Sequence, residues 1–151
     1  MSIYEFDTHK NKLQKQFRFK PTKGTGWNYD THKKISSFEE KPVEGYFSNQ
    51  GKVLWVSLHN AGGIVPIRMD SLHKTYRNGS YKKIYIGKSD TINVRLYKTG
   101  STPKVIATTS DDRYLLVSNW HSNSISVLEL DPSFPSKAKL LKNIRVSAIP
   151  R

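Results

Sequence analysis

The sequence contains no cysteine. That excludes disulfide staples, thiolate metal ligands and thiol nucleophiles, but leaves the compartment open, because many exported proteins also lack cysteine. No apolar run approaches the roughly 18 residues that a membrane-spanning helix needs, so no transmembrane segment is expected. The opening "MSIYEFDTHK" lacks the basic-then-apolar pattern of a signal peptide. Acidic residues are scarce: 12 Asp and Glu stand against 25 Lys and Arg, for a net charge of +13. Such an excess attracts polyanions. Here it is spread in short pairs such as Lys33-Lys34 and Lys82-Lys83, with no block of five. A solvated basic surface accounts for this distribution; an anionic glycan or other polyanion is the partner it would admit, and nucleic acid is only weakly supported.

Signatures of chemistry are equally sparse. The five histidines, His9, His32, His59, His73 and His121, form no HExxH or HxH pair beside carboxylates, so no metal is expected. "DTHK" occurs twice, at Asp7 to Lys10 and Asp30 to Lys33, and each copy reads as a turn after a strand. "KGTG" (Lys23 to Gly26) is too short for a phosphate loop and no helix follows it. There is no nucleophile elbow and no distinctive carboxylate pair for glycoside hydrolysis. No catalytic residue and no cofactor are expected.

What the chain does have is a repeat. Gly51 to Asp70, "GKVLWVSLHNAGGIVPIRMD", aligns without a gap on Asp112 to Asp131, "DRYLLVSNWHSNSISVLELD", an offset of 61 residues. Val56 falls on Val117, Ser57 on Ser118, Ile64 on Ile125 and Asp70 on Asp131. Upstream, "KPVEGYFSNQ" (Lys41 to Gln50) parallels "TPKVIATTSD" (Thr102 to Asp111), each an extended apolar stretch ending in a polar turn. A partial third copy opens the chain, with Ser2 to Pro21 paralleling Ser126 to Ser147. β-Branched and aromatic residues, near-alternation and closely spaced turn residues are signals of β-structure. "NKLQKQFRF" could pass as a short amphipathic helix, but its place in the repeat argues for a strand. The unit is read as four antiparallel strands.

On these residues the chain resembles the YVTN-type β-propeller repeat proteins, found at bacterial and archaeal surfaces and in the periplasm. Thr99 to Asp131 carries the likeness most strongly, with Leu116-Val117-Ser118-Asn119 in the place of the family's tetrapeptide. The resemblance implies an all-β fold of four-stranded antiparallel blades, here incomplete: two full blades plus half of a preceding one. Residues 2–29 would be the outer strands of that preceding blade and a connection, 30–101 a blade with an expanded third-to-fourth-strand connection (Ser71 to Lys98), and 102–151 a further blade. A propeller ring needs at least about four blades, so a fragment of a larger propeller is expected, or one partner in an assembly that completes it. The family also implies a periplasmic, cell-surface or secreted location, with the cytoplasm as the alternative.

In such a blade the loop between strands two and three shares a face with the connection to the next blade. That face would gather Asn119, Trp120, His121 and Asn123 from one blade and His59 and Asn60 from the other. Connections would add Lys98, Lys104 and Trp27. Aromatic, amide and basic groups together suit a sugar, a nucleobase or a polar peptide; the plainer reading is that Trp120 packs over a neighbouring blade and the polar residues cap turns. The leading function is a non-catalytic binding or scaffolding propeller that engages a protein or a polyanionic or glycan ligand. The alternatives are a fragment of a propeller enzyme, lactonase-like or carrying a redox cofactor, and a basic nucleic-acid-binding module.

Overall fold

The computed structural model describes residues 2–21, 25–28, 31–36, 41–69, 91–147 and 150. Lys23, Tyr29, His73 and most of the expanded stretch after Ser71 lie outside them. Every regular element is a strand but for one helical residue at Met69. In chain order they are β1 (Ser2–Asp7), β2 (Lys12–Pro21), β3 (Thr25–Asn28), β4 (Lys33–Ser36), β5 (Pro42–Ser48), β6 (Val53–Leu58) and β7 (Gly63–Arg68). There follow β8 (Thr91–Val94), β9 (Tyr97–Lys98), β10 (Pro103–Thr108), β11 (Tyr114–Asn119), β12 (Ser124–Leu130) and β13 (Ala138–Arg145). Two antiparallel four-stranded sheets, β5-β6-β7-β9 and β10-β11-β12-β13, make up the body of the fold. The segment that admitted a helical reading is strand β2.

The repeat is visible atom by atom. The register slips between Pro42 and Gly45 in β5 and between Pro103 and Ile106 in β10, the same bulge 61 residues apart. A bulge leaves a backbone donor without its ladder partner, and the matched serines supply one. Ser57 Oγ accepts the Glu44 N–H at 3.1 Å, and Ser118 Oγ accepts the Val105 N–H at 3.1 Å. Other pairs of bonds repeat in kind: His59 N to Lys41 O with Trp120 N to Thr102 O, and Met69 N to Lys52 O with Leu130 N to Arg113 O. The β6–β7 and β11–β12 hairpins both need a left-handed residue at the same slot, filled by Gly62 (φ 61°) and Asn123 (φ 44°). Glycine and asparagine tolerate that conformation best. Both "DTHK" copies do turn, with His9 and His32 in turns.

The start of the chain departs from expectation in three ways. The stretch read as a connection holds a hairpin, with β3 pairing β4 from Thr25↔Ser36 to Asn28↔Lys33. β8, expected to stay within its own blade, instead pairs in parallel with β2, giving the order β1-β2-β8. Its blade is left with a fourth strand of two residues, β9. The third departure is a shift: Ser2 faces Arg18 just as Ser124, not Ser126, faces Arg145. A longer β12–β13 connection accounts for it.

Packing between the two four-stranded sheets makes the larger core. Val53, Trp55, Ile64 and Tyr97 of one sheet meet Ile106, Leu115, Val117, Leu128 and Leu130 of the next. Trp55 is fully buried, its ring 5.9 Å from that of Tyr97, and its Nε1 donates to Ser48 Oγ at 3.0 Å. Polar links surround this apolar contact: Asn49 N to Asp112 Oδ2 at 2.8 Å and Tyr97 OH to Ser136 O at 3.3 Å. The opposite face of the first sheet builds a second cluster from Val56, Leu58, Val65, Ile67 and Val94. No helix among the described residues is long and apolar enough to cross a membrane.

Ser57→Ala and Ser118→Ala should each lower stability by about 1–3 kcal/mol, because each leaves a bulge N–H without an acceptor. Urea unfolding of the two variants checks this, and the two losses should agree because the sites are equivalent.

Candidate functional site

The β6–β7 turn, the β9–β10 connection and the β3–β4 hairpin converge on one end of the sheets. There they line a cleft of about 350 Å³, with Trp27, His59, Asn60, Lys98 and the hydroxyl-bearing Thr99 and Ser101 in its walls. Four of the nine residues singled out from the sequence, Trp27, His59, Asn60 and Lys98, therefore share one cavity. Local backbone bonds fix its shape. The Trp27 N–H donates to Asn60 O at 2.9 Å and the Thr99 N–H to Gly62 O at 3.1 Å. Lys98 Nζ reaches Ala61 O at 2.7 Å, holding the ammonium at the rim. Trp27 keeps 39% of its surface exposed. Asn60 is buried, and its Nδ2 has no hydrogen-bond partner among the described residues.

The "NWHSN" turn of the next sheet behaves differently. Asn119 is not on the exposed face: it is fully buried at the end of β11. Its Oδ1 accepts the Gly100 N–H at 3.0 Å and its Nδ2 donates to Ser126 Oγ at 2.9 Å. Ser126 in turn donates to Asn143 Oδ1 at 2.6 Å, and Ser122 Oγ accepts the Ser101 N–H at 3.1 Å. This network ties the inter-sheet connection to the hairpin. A side chain at Gly100 would collide with Ser122 and Asn119, which explains glycine there. His121 Nδ1 pairs with Thr102 Oγ1 at 2.6 Å, and Asn123 serves the left-handed turn position. Trp120 is half-buried, with the Lys104 ammonium 4.0 Å from its ring centroid, a cation–π contact. None of these five residues lines the cleft, although Ser122 does.

Four acidic residues gather at the other end. Asp111, Asp112, Glu129 and Asp131 line a separate cavity of about 570 Å³. Their oxygens are engaged: Asp111 Oδ1 accepts from Thr109 Oγ1 and the Arg113 N–H, and Asp131 Oδ1 caps the Ser133 and Phe134 N–H groups. The Thr109 hydroxyl and the Arg113 N–H hold the Asp111 carboxyl below its usual range. No group of three metal-ligating side chains exists among the described residues. Loop order also puts Ser101 and Ser122 at the cleft end, whereas Thr102, the partner of His121, was missed. The serines and threonines between Thr99 and Thr102 and between Ser122 and Ser126 were the available signal.

No family model and no curated protein matches the chain. Among solved structures it is similar to a Bacteroides fragilis protein provisionally described as a 6-phosphogluconolactonase, with a TM-score of 0.61 and 17% sequence identity. That alignment covers 99% of this chain and 34% of the other, so the chain spans about a third of its neighbour's length. Together with the two stacked antiparallel sheets, the likeness defines the fold as β-propeller-like.

Asn119→Leu places the residue of the equivalent Leu58 in the turn network and removes the bonds to Gly100 N and Ser126 Oγ, although the Gly100 N–H keeps Ser126 Oγ and the Ser126 hydroxyl keeps Asn143 Oδ1. It should cost about 0.5–1.5 kcal/mol, read as a lower urea midpoint with an unchanged m-value.

Proposed function

We propose that the chain is a YVTN-type propeller module that binds, without transforming, an anionic glycan or similar polar ligand in the cleft between Trp27 and Lys98. The observation that carries this reading is the composition of the cleft wall. It combines an exposed indole, an imidazole, a buried amide, an ammonium and four hydroxyls, with no carboxylate among the described residues. An indole face stacks on a sugar ring, and the polar groups around it fix orientation. Segregation of Asp111, Asp112, Glu129 and Asp131 to the opposite end removes repulsion from the cleft. Further sheets complete the ring beyond the half-exposed Leu116, Ile125 and Ile144 face, and the family resemblance favours an envelope location. Titration with oligogalacturonate, followed by tryptophan fluorescence and calorimetry, tests the binding reading. Trp27→Ala should weaken binding about two- to tenfold, matching ~0.5–1.5 kcal/mol for an aromatic contact. Lys98→Ala should weaken the anionic oligomer more than a neutral one. Binding unaffected by both changes would contradict the assignment.

The solved neighbour's description favours a second reading, a lactonase-like propeller segment. On that reading His59 and Lys98 stand where an anionic lactone would sit. Hydrolysis of 6-phosphogluconolactone above the spontaneous rate, lost in His59→Ala, would support it over binding alone.

A further inference from the structure

β13 is the outer strand of its sheet, and no strand pairs with its far edge among the described residues. It runs for eight residues, and all seven from Lys139 to Arg145 are exposed. An edge of this length presents a row of backbone donors and acceptors to any extended segment that approaches it.

The same chain shows what such an edge can hold. In the first sheet the register skips Gln14, with Leu13 and Lys15 on either side; in the last it skips Leu141, with Leu140 and Lys142 on either side. Aligned on these bulges, "KLQKQFRF" (Lys12 to Phe19) lies over "KLLKNIRV" (Lys139 to Val146). Both lysines, the first leucine and the arginine are identical, and the amide and apolar positions are matched in kind. β2 and β13 are thus the same strand of two units, with the β5-β6-β7-β9 sheet between them in the chain. β2, however, is not an edge. β8 pairs with it in parallel, from Arg18↔Thr91 to Pro21↔Val94. Carried through the alignment, that strip begins at Arg145 in the last sheet. Its backbone is correctly presented: the Val146 N–H is used inward, on Asn123 O at 2.8 Å. Alternation along the regular ladder from Asn143 to Arg145 therefore turns the Asn143 and Arg145 N–H groups outward.

We propose that the outer edge of β13, from Leu141 to Arg145, is a strand-addition site that takes an extended acidic segment of another protein, paired in parallel. Charge selects this occupant. The strand carries exposed Lys139, Lys142 and Arg145 and no acidic residue. A second copy docking through the same strand would set cations against cations, an arrangement that destabilises strand pairs. An acidic strand meets opposite charges instead. Leu141, 45% exposed, supplies an apolar contact for a side chain of the incoming strand, the usual source of specificity when a peptide extends a sheet. The uncharged, β-branched pattern Thr-Ile-Asn-Val of β8 is the template for the centre of the ligand.

The test titrates the ¹⁵N-labelled full-length chain with the acetylated peptide Glu-Glu-Thr-Ile-Asn-Val-Glu-Glu, and with its counterpart carrying Lys at each Glu. Amide shifts concentrated between Leu141 and Arg145, seen with the acidic peptide only, are expected. Arg145→Glu should weaken binding about fivefold, the equivalent of ~1 kcal/mol for an exposed ion pair. Asn143→Pro removes one outward donor without changing charge and should abolish the shifts. Unperturbed β11 resonances will show that both variants are folded. Equal binding of the lysine peptide, binding insensitive to both substitutions, shifts centred on the Trp27 cleft, or no binding at millimolar peptide would each overturn the proposal.

Discussion

Each of the two four-stranded sheets carries apolar side chains on both faces, so each depends on a neighbour. The contact that meets this need is the seating of Trp55 and Ile64 of one sheet against Leu115, Val117 and Leu128 of the next. The two surfaces are not copies of each other. Trp55 is equivalent in the repeat to Leu116, whereas Leu115 and Val117 are equivalent to Leu54 and Val56. Sheets therefore stack head to tail, one type of face on the other, and such an interface can propagate from unit to unit. Burying large apolar side chains across it supplies the non-directional part of the stability. The direction comes from the rim, where Asn49 and Asp112, and Tyr97 and Ser136, bond across the same junction.

Stacking fixes where polar groups go. Because the two four-stranded sheets are antiparallel, hairpin turns and inter-sheet links alternate between the two ends. One end collects Trp27, His59, Asn60 and Lys98 around the cleft; the other collects Asp111, Asp112, Glu129 and Asp131. Three of these four carboxylates satisfy backbone donors, and Glu129 faces Arg113. Among the described residues the cleft lining has no carboxylate, which makes it receptive to negative or strongly polar ligands.

Much of this was legible in the sequence because the repeat is gapless over its middle strands. The match of Ser57 with Ser118 marked a structural equivalence, although only the fold shows its cause, a bulge donor on the neighbouring strand. Asn119 was harder to place. Its counterpart Leu58 is a core residue, and nothing in a polar-looking "NWHSN" says that its first asparagine is buried with the core. β8 was illegible for a different reason: pairing with β2 is a long-range, parallel contact, and local alternation carries no information about which edge a strand will join. The cleft was only partly legible. His59, Asn60 and Lys98 followed from loop order, whereas the approach of Trp27 depends on a hairpin that no repeat unit contains.

The central claim is that the two four-stranded sheets are successive units held by one shared core. Native-state hydrogen exchange on Trp55→Ala tests it most directly. Removal of a fully buried tryptophan costs about 3–5 kcal/mol, and a shared core spreads that loss across both sheets. The account predicts that the amides of Leu115, Val117 and Leu128 lose as much protection as those of Val53 and Val56. Protection lost in β5, β6 and β7 but retained in β11 and β12 would contradict it.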